Sequence, residues 1–200
     1  MKNFNVVLFD EFETLDVFGP VEVIGTVEEK YPIEYFSQTG GIATSVHNVQ
    51  CLTKPFNEMP ESFVLFIPGG GTSYLTQDEA YLKELRTLAE KADYVLTVCT
   101  GSGLLAKTGL LDGVKATTNK MLYEWSTAFG PNVLWQPKAR WVKDGKFYTS
   151  SGVSAGIDMS LDFIKDFHGH EEAKRVADYI EYTWNEDSSE DPFAVLYGLD

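Results

Sequence analysis

"VLTVCTGSGLLA", residues 95–106, decides how this chain folds: an apolar, β-branched run stops at a lone cysteine, and a glycine-spaced apolar stretch follows at once. A short continuous apolar run is the pattern of a strand covered on both faces. Small residues directly after it let the chain turn sharply into a helix. The stretch therefore predicts a strand, a tight elbow at Cys99 and a helix beginning near Gly101.

The same alternation extends in both directions. "FNVVLF" (4–9) and "FVLFI" (63–67) are further buried-strand patterns, and "PIEYFSQ" (32–38) alternates as a strand. "ETLDVFGPVEVIGTVEEK" (13–30) carries apolar residues at helical spacing, with Pro20 at a break where it can open a helix without losing a needed N–H. "IATSVHNVQCLTKP" (42–55) reads as two short strands around "HN", a peripheral hairpin. "TQDEAYLKELRTLAEKA" (76–92) and "NKMLYEWSTAF" (119–129) are helical in pattern, and "ARWVKDGKFYTSS" (139–151) alternates on both sides of a "DG" hairpin turn. Two helices, "SAGIDMSLDFIKDF" (154–167) and "GHEEAKRVADYIEYTW" (169–184), follow. Strands alternating with helices through short loops predict a doubly wound α/β sheet. Residues 1–186 are expected to form one domain, with 187–200 as an acidic C-terminal tail packed on it or extending from it.

With 200 residues, 44% of them hydrophobic, one well-buried core is expected. Sixteen basic against thirty acidic residues leave a formal charge of −14, which repels polyanions. Nucleic acid and anionic membrane surfaces are excluded as expected partners. The two cysteines can form at most one bridge, and "MKNFNVVLFDEFE" lacks the features of a secretion signal. A reducing, cytoplasmic setting is expected, and no apolar run approaches the roughly 20 residues that span a bilayer.

In a doubly wound sheet, ligands bind beyond the carboxyl ends of the strands. Three of those ends carry chemistry: the first brings Asp16 into the following loop, the second ends in Gly69, Gly70 and Gly71, and the third ends at Cys99. A sulfur at a helix N-terminus meets unpaired N–H groups and the positive end of the dipole, which predicts a lowered thiol pKa. The Thr100 N–H is placed to support an oxyanion, and a second donor is expected from "PGGG". A buried cysteine is also a common packing residue, the reading preferred for Cys51. Cys99 alone fits either role, and Asp16 with the glycine triplet moves it toward catalysis.

Other motifs carry less. "GSGLLA" (101–106) fits a dinucleotide-binding turn, but the next strand, "KATTNK", offers Thr118 and Asn119 where an acid should hold a ribose. No nucleotide, other cofactor or metal is expected. His47, His168 and His170 lie away from the elbow in sequence, and "HGH" reads as a solvated helix junction. Trp125, Trp135, Trp141 and Trp184 read as packing residues, and Ser150 and Ser151 as helix-start residues or, from their position after a strand, as neighbours of the same pocket.

Taken in order, Asp16, "IPGGG", "VCTGSGLLA", "GLLDGVKATT" and "SSGVSAGIDMSLDFI" resemble the ThiJ/PfpI superfamily along essentially the whole chain. The resemblance implies a flavodoxin-like three-layer αβα sandwich, mainly parallel, with a peripheral β-hairpin. It also implies a reactive Cys99, an acid bonded to its sulfur, and a homodimer. The isonitrile hydratase branch is the most similar, implying Cys99 as nucleophile, Asp16 as acid, Thr100 as the residue after the nucleophile, and Gly70 with Gly71 on the oxyanion side. Related domains in transcription regulators continue into a helix-turn-helix, which this chain is not expected to carry. Where many relatives have "ATTH" this sequence has "ATTN", so Asn119 replaces a possible general base, and peptidase or amidase chemistry is not expected. The expected activity is cofactor-free conversion of a small electrophile, an isonitrile giving an N-substituted formamide. Glyoxalase or deglycase-like handling of α-oxoaldehydes is the alternative, and a redox- or electrophile-sensing or ligand-binding domain the non-enzymatic one.

Overall fold

The computed structural model describes residues 2–27, 31–61 and 63–199. The chain begins with β1 (Asn3–Val7), α1 (Thr14–Gly25), β2 (Ile33–Ser37), β3 (Thr39–Thr44) and β4 (Gln50–Pro55). It continues through β5 (Phe63–Ile67), α2 (Glu79–Lys91), β6 (Tyr94–Val98), α3 (Gly101–Lys107), β7 (Lys115–Ala116), α4 (Tyr123–Thr127) and β8 (Leu134–Trp135). It closes with β9 (Trp141–Asp144), β10 (Phe147–Ser150), α5 (Ala155–His168), α6 (His170–Tyr179) and α7 (Pro192–Leu196). The main sheet has the order β3-β4-β2-β1-β5-β6-β10-β9, and β7 pairs with β8 in a separate ribbon.

Pairing is parallel from β4 through β10, and antiparallel only where the edge strands β3 and β9 attach. This is an α/β fold with a mainly parallel central sheet of the flavodoxin-like type. The all-apolar β5, "FVLFI", is buried throughout because helices cover both faces. The β3–β4 hairpin lies at the sheet edge, but it is not a detached appendage: β4 continues the parallel ladder beside β2. The "DG" signal marks the turn from β9 to β10, with Gly145 at φ 58°.

Two glycines set the layer that includes α1 and α5. A Cβ on Gly19 would lie 2.7 Å from the Ile157 side chain, and one on Gly156 would lie 2.7 Å from Val98. Their absence lets the helices close on each other and on β6. Pro20 does not open α1, contrary to the sequence reading. The helix already starts at Thr14 and Pro20 lies inside it, packed near Gly156. Tertiary packing outweighs the backbone hydrogen bond that an internal proline removes. Two predicted helices are shorter than expected: α4 begins at Tyr123, and α6 ends at Tyr179. Residues 28–30 of the predicted 13–30 helical stretch, and Asp200 of the expected tail, lie outside the described residues. Among the described residues, no helix is long and apolar enough to cross a membrane.

Candidate active site

Cys99 directly follows β6, and its φ of 58° places it in the left-handed region, which costs a non-glycine residue about 1–2 kcal/mol. The surrounding backbone holds it there. Its N–H faces the carbonyls of Ser150 and Ser151 at 3.2 and 3.3 Å, and its own carbonyl accepts from the Ser102 N–H at 3.3 Å and the Thr118 hydroxyl at 2.8 Å. Ser150 and Ser151 therefore anchor the elbow and do not start α5, as the sequence suggested. A Cβ on Gly69 would stand 2.7 Å from the Cys99 Cβ, and one on Gly101 would stand 2.5 Å from the Ile67 carbonyl. Close packing of the elbow against the end of β5 thus accounts for the glycine at 101, without reference to a nucleotide.

Three segments converge on the sulfur. Asn119 Nδ2 donates to Sγ over 3.1 Å, while its Oδ1 accepts the Leu122 N–H at 2.9 Å. That second bond fixes which end of the amide faces the sulfur. Gly152 makes the space: a Cβ there would fall 2.1 Å from Asn119 Nδ2 and 3.1 Å from Sγ. Asp16 sits in the first turn of α1 rather than in a loop, fully buried, with Oδ2 accepting the Gly69 N–H at 2.9 Å. The Cys99 side chain and this carboxyl meet against Gly69, and Asp16 Oδ1 has no hydrogen-bond partner among the described residues.

The electrostatics overturn the expected thiolate. Burial, followed by the negative charge of Asp16, pushes the Cys99 pKa well above its ordinary value, against the opposing pull of the Thr100 N–H and the Asn119 amide. Burial also raises the Asp16 carboxyl well above the carboxylate range, with Glu13 adding to the effect and the Gly69 N–H and the thiol opposing it. Cys99 is only 6% exposed, so desolvation dominates the donors at the start of α3. Burial therefore pushes both groups toward their neutral forms.

The glycine triplet acts differently from its reading in sequence. The Gly70 N–H donates to Thr100 Oγ1 at 3.0 Å, and the Gly71 N–H donates to the Glu11 carbonyl at 2.9 Å. Both amides expected to face an oxyanion are therefore already engaged. They lock the 69–71 turn onto the elbow and onto the segment before α1. Gly70, at φ 139°, also tolerates no side chain, since a Cβ would lie 2.2 Å from the Glu11 carbonyl.

A pocket of about 410 Å3 opens beside this cluster, lined by Asn119, Ser151 and Gly152 on the thiol side. Met121 reaches it, whereas Tyr74 bonds to the Asp10 carbonyl and Trp125 packs on Phe129. Grooves of about 440 and 540 Å3 lie elsewhere, and neither is lined by a residue that touches the Cys99 sulfur. His47 contacts Thr14 Oγ1 at 2.9 Å, His168 bonds to Tyr31, and His170 pairs with Glu186. Among the described residues no group of His, Cys, Asp or Glu is arranged to hold a metal. Sequence reasoning missed the donor role of Asn119 and the clearance at Gly152. It also missed the buried Lys120, whose ammonium donates to Thr117 Oγ1 and the Ala139 carbonyl and whose pKa burial lowers to about 8.

The DJ-1/PfpI family model matches residues 2–166 of the chain. The chain belongs to the DJ-1/PfpI family. It is similar to the isonitrile hydratase of Pseudomonas putida, with 32% identity over 176 residues, covering 88% of this chain and 76% of that protein. A ThiJ/PfpI family protein from Pseudomonas syringae superposes with a TM-score of 0.83 at 26% identity, over 92% of this chain and 76% of that one. Drosophila melanogaster DJ-1beta shares the fold at a TM-score of 0.75 and 20% identity, over 92% and 99% of the two chains. Within the DJ-1/PfpI fold, Cys99 marks the turn from β6 into α3, and the family match stops at Asp166 in α5.

Proposed function

We propose that this protein is a cofactor-free enzyme that hydrates a small isonitrile to an N-substituted formamide, with Cys99 as nucleophile and Asp16 as acid and base. The observation that carries this reading is the placement of the Cys99 side chain and the buried Asp16 carboxyl together against Gly69, with Asn119 Nδ2 on the sulfur. The terminal carbon of an isonitrile must gain both a nucleophile and a proton, and such a pair supplies both.

Sγ bonds to that carbon while the thiol proton passes through the carboxyl to the same carbon, giving a thioimidate, Cys–S–CH=N–R. Water then adds across C=N, its oxygen to carbon and one proton to nitrogen, with Asp16 relaying the proton. The C–S bond breaks as the hydroxyl proton returns to sulfur, and R–NH–CHO leaves. The Thr100 N–H and the Asn119 amide steady the sulfur while it carries negative charge. Asn119 has no proton to exchange near neutral pH, which speaks against a Cys and His base pair of the peptidase type. Burial of the thiol and its raised pKa also speak against an oxidant sensor, since susceptibility follows thiolate character and exposure. Similarity to a named isonitrile hydratase supports the choice of electrophile.

The test is formamide production from alkyl isonitriles, followed by NMR, in the wild type, Cys99→Ala and Asp16→Asn. Turnover abolished in Cys99→Ala and strongly reduced in Asp16→Asn is expected. Turnover that persists without the thiol, or a wild type inert toward every isonitrile offered, overturns the proposal.

A further inference from the structure

The chain continues past the family match, and its last described helix borders the pocket that Asn119 and Gly152 line beside Cys99. Phe193, in α7, and Tyr197, just after it, line the pocket together with Leu15 of α1 and Met121. Phe193 is 47% exposed and Tyr197 44%, so large apolar surfaces face a cavity that is also lined by Asn119, whose amide donates to the Cys99 sulfur. The one charged side chain in that lining is Lys120, which is 3% exposed and spends its ammonium on Thr117 and Ala139.

The segment is firmly seated. The buried Arg140 donates its N–H to the Ser188 carbonyl at 2.9 Å, while its guanidinium holds Asp158 at 2.6 Å and stands 3.7 Å from Asp191. Asp191 in turn donates its N–H to the Lys138 carbonyl at 2.6 Å and accepts the Phe193 N–H at 3.0 Å. The Arg140 carbonyl accepts the Ser151 N–H at 2.8 Å, and the Ser151 carbonyl faces the Cys99 N–H. One buried guanidinium residue therefore ties both the aromatic wall and the nucleophile elbow to the same frame.

We infer that the C-terminal segment is the specificity wall of this site: Phe193 and Tyr197 hold the substituent of the substrate and select neutral, apolar groups of ring size over small or charged ones. The inference rests on the reading of Cys99 as the reacting residue, and it adds what that reading leaves open, the chemistry of the group attached to the reacting carbon. A wall of two half-exposed aromatic rings offers dispersion contact and desolvation to an apolar ring. It offers no partner to a carboxylate, because the ammonium of Lys120 in that lining is already engaged by Thr117 and Ala139.

The experiment compares Phe193→Ala, Tyr197→Ala and the double variant with the wild type on methyl, cyclohexyl, benzyl and carboxymethyl isonitrile. Both positions are half exposed, so the variants keep the fold. The wild type is expected to prefer the ring-bearing substrates. In the double variant their kcat/KM should fall about tenfold through KM, with methyl isonitrile changed by less than about twofold. A uniform loss across the series, no loss, or a preference for the carboxylate overturns the inference. A second measurement does not need turnover: the rate of Cys99 alkylation by N-benzyl iodoacetamide relative to iodoacetamide. That ratio should drop about fivefold or more in the double variant, and an unchanged ratio overturns the wall. Absent isonitrile turnover with a reduced ratio would overturn the hydratase reading and support the wall.

Discussion

The Asn119 amide donates to the Cys99 sulfur over 3.1 Å, with the orientation of that amide set by its second bond to the Leu122 N–H. Asp16 opposes it from α1: burial, followed by the charge that the Asp16 carboxyl carries when ionised, pushes the thiol pKa up. The two residues therefore tune the sulfur in opposite directions.

Asp16→Asn is expected to lower the Cys99 pKa, and Asn119→Ala to raise it further. The pH dependence of iodoacetamide labelling, read by intact mass, checks both. Near pH 8, Asp16→Asn should label about tenfold faster than wild type, equivalent to one pKa unit, and Asn119→Ala more slowly. Equal profiles in all three proteins would mean that neither group acts on the sulfur.

Stability should shift with pH at Asp16. Because the folded-state pKa is raised, the favourable contribution of this carboxyl is present below the ordinary carboxylate range and is lost as pH rises through the raised value. Asp16→Asn should consequently be more stable than wild type at alkaline pH, by about 1–3 kcal/mol, with the difference shrinking near pH 4. Thermal unfolding of both proteins across that range measures it, and a constant difference would contradict the assignment.

Gly152→Ala places a methyl 2.1 Å from the Asn119 nitrogen. The amide must leave the sulfur or the 151–154 turn must move, at a cost of about 1–3 kcal/mol. A lowered Tm with Cys99 labelling shifted as in Asn119→Ala is expected. Wild-type values for both would show that the turn yields freely.

Cys99→Gly should be more stable than Cys99→Ala by about 1 kcal/mol, since the positive φ at this position strains alanine and not glycine. Chemical denaturation of the two variants decides it, and the reverse order would argue against stored strain at the elbow.

Arg140→Ala leaves Asp158 buried beside Asp191 without its cation, and should destabilise the protein by about 3–5 kcal/mol. Adding Asp158→Asn should recover part of that loss by removing the unpaired charge. Urea unfolding of the single and double variants reads the coupling, and simple additivity would mean the pair is not energetically linked.

Local pattern was enough to identify the repeating strand and helix units, the hairpin at Asp144 and Gly145, and the strand ends that bring Asp16, the glycine triplet and Cys99 to one edge of the sheet. Those features depend on side-chain period and turn chemistry, which are properties of neighbouring residues. The direction of the Cys99 pKa shift was misread from the same stretch because its helix terminus is local, while the burial and the Asp16 charge that outweigh it come from packed layers distant in sequence. Asn119 looked like a departure from a family histidine, and only the turn to Leu122 with the clearance at Gly152 made it a sulfur donor. Gly70 and Gly71 carried the right flexibility for an anion site, yet their N–H groups are taken by Thr100 and Glu11, partners that the chain reaches only on folding. The acidic C-terminal stretch read as a tail either packed on the domain or extending from it. Tertiary structure buries Asp191 near Arg140 and turns Phe193 and Tyr197 toward the pocket, because desolvated charge pairing and apolar contact arise between segments and leave no periodicity within one.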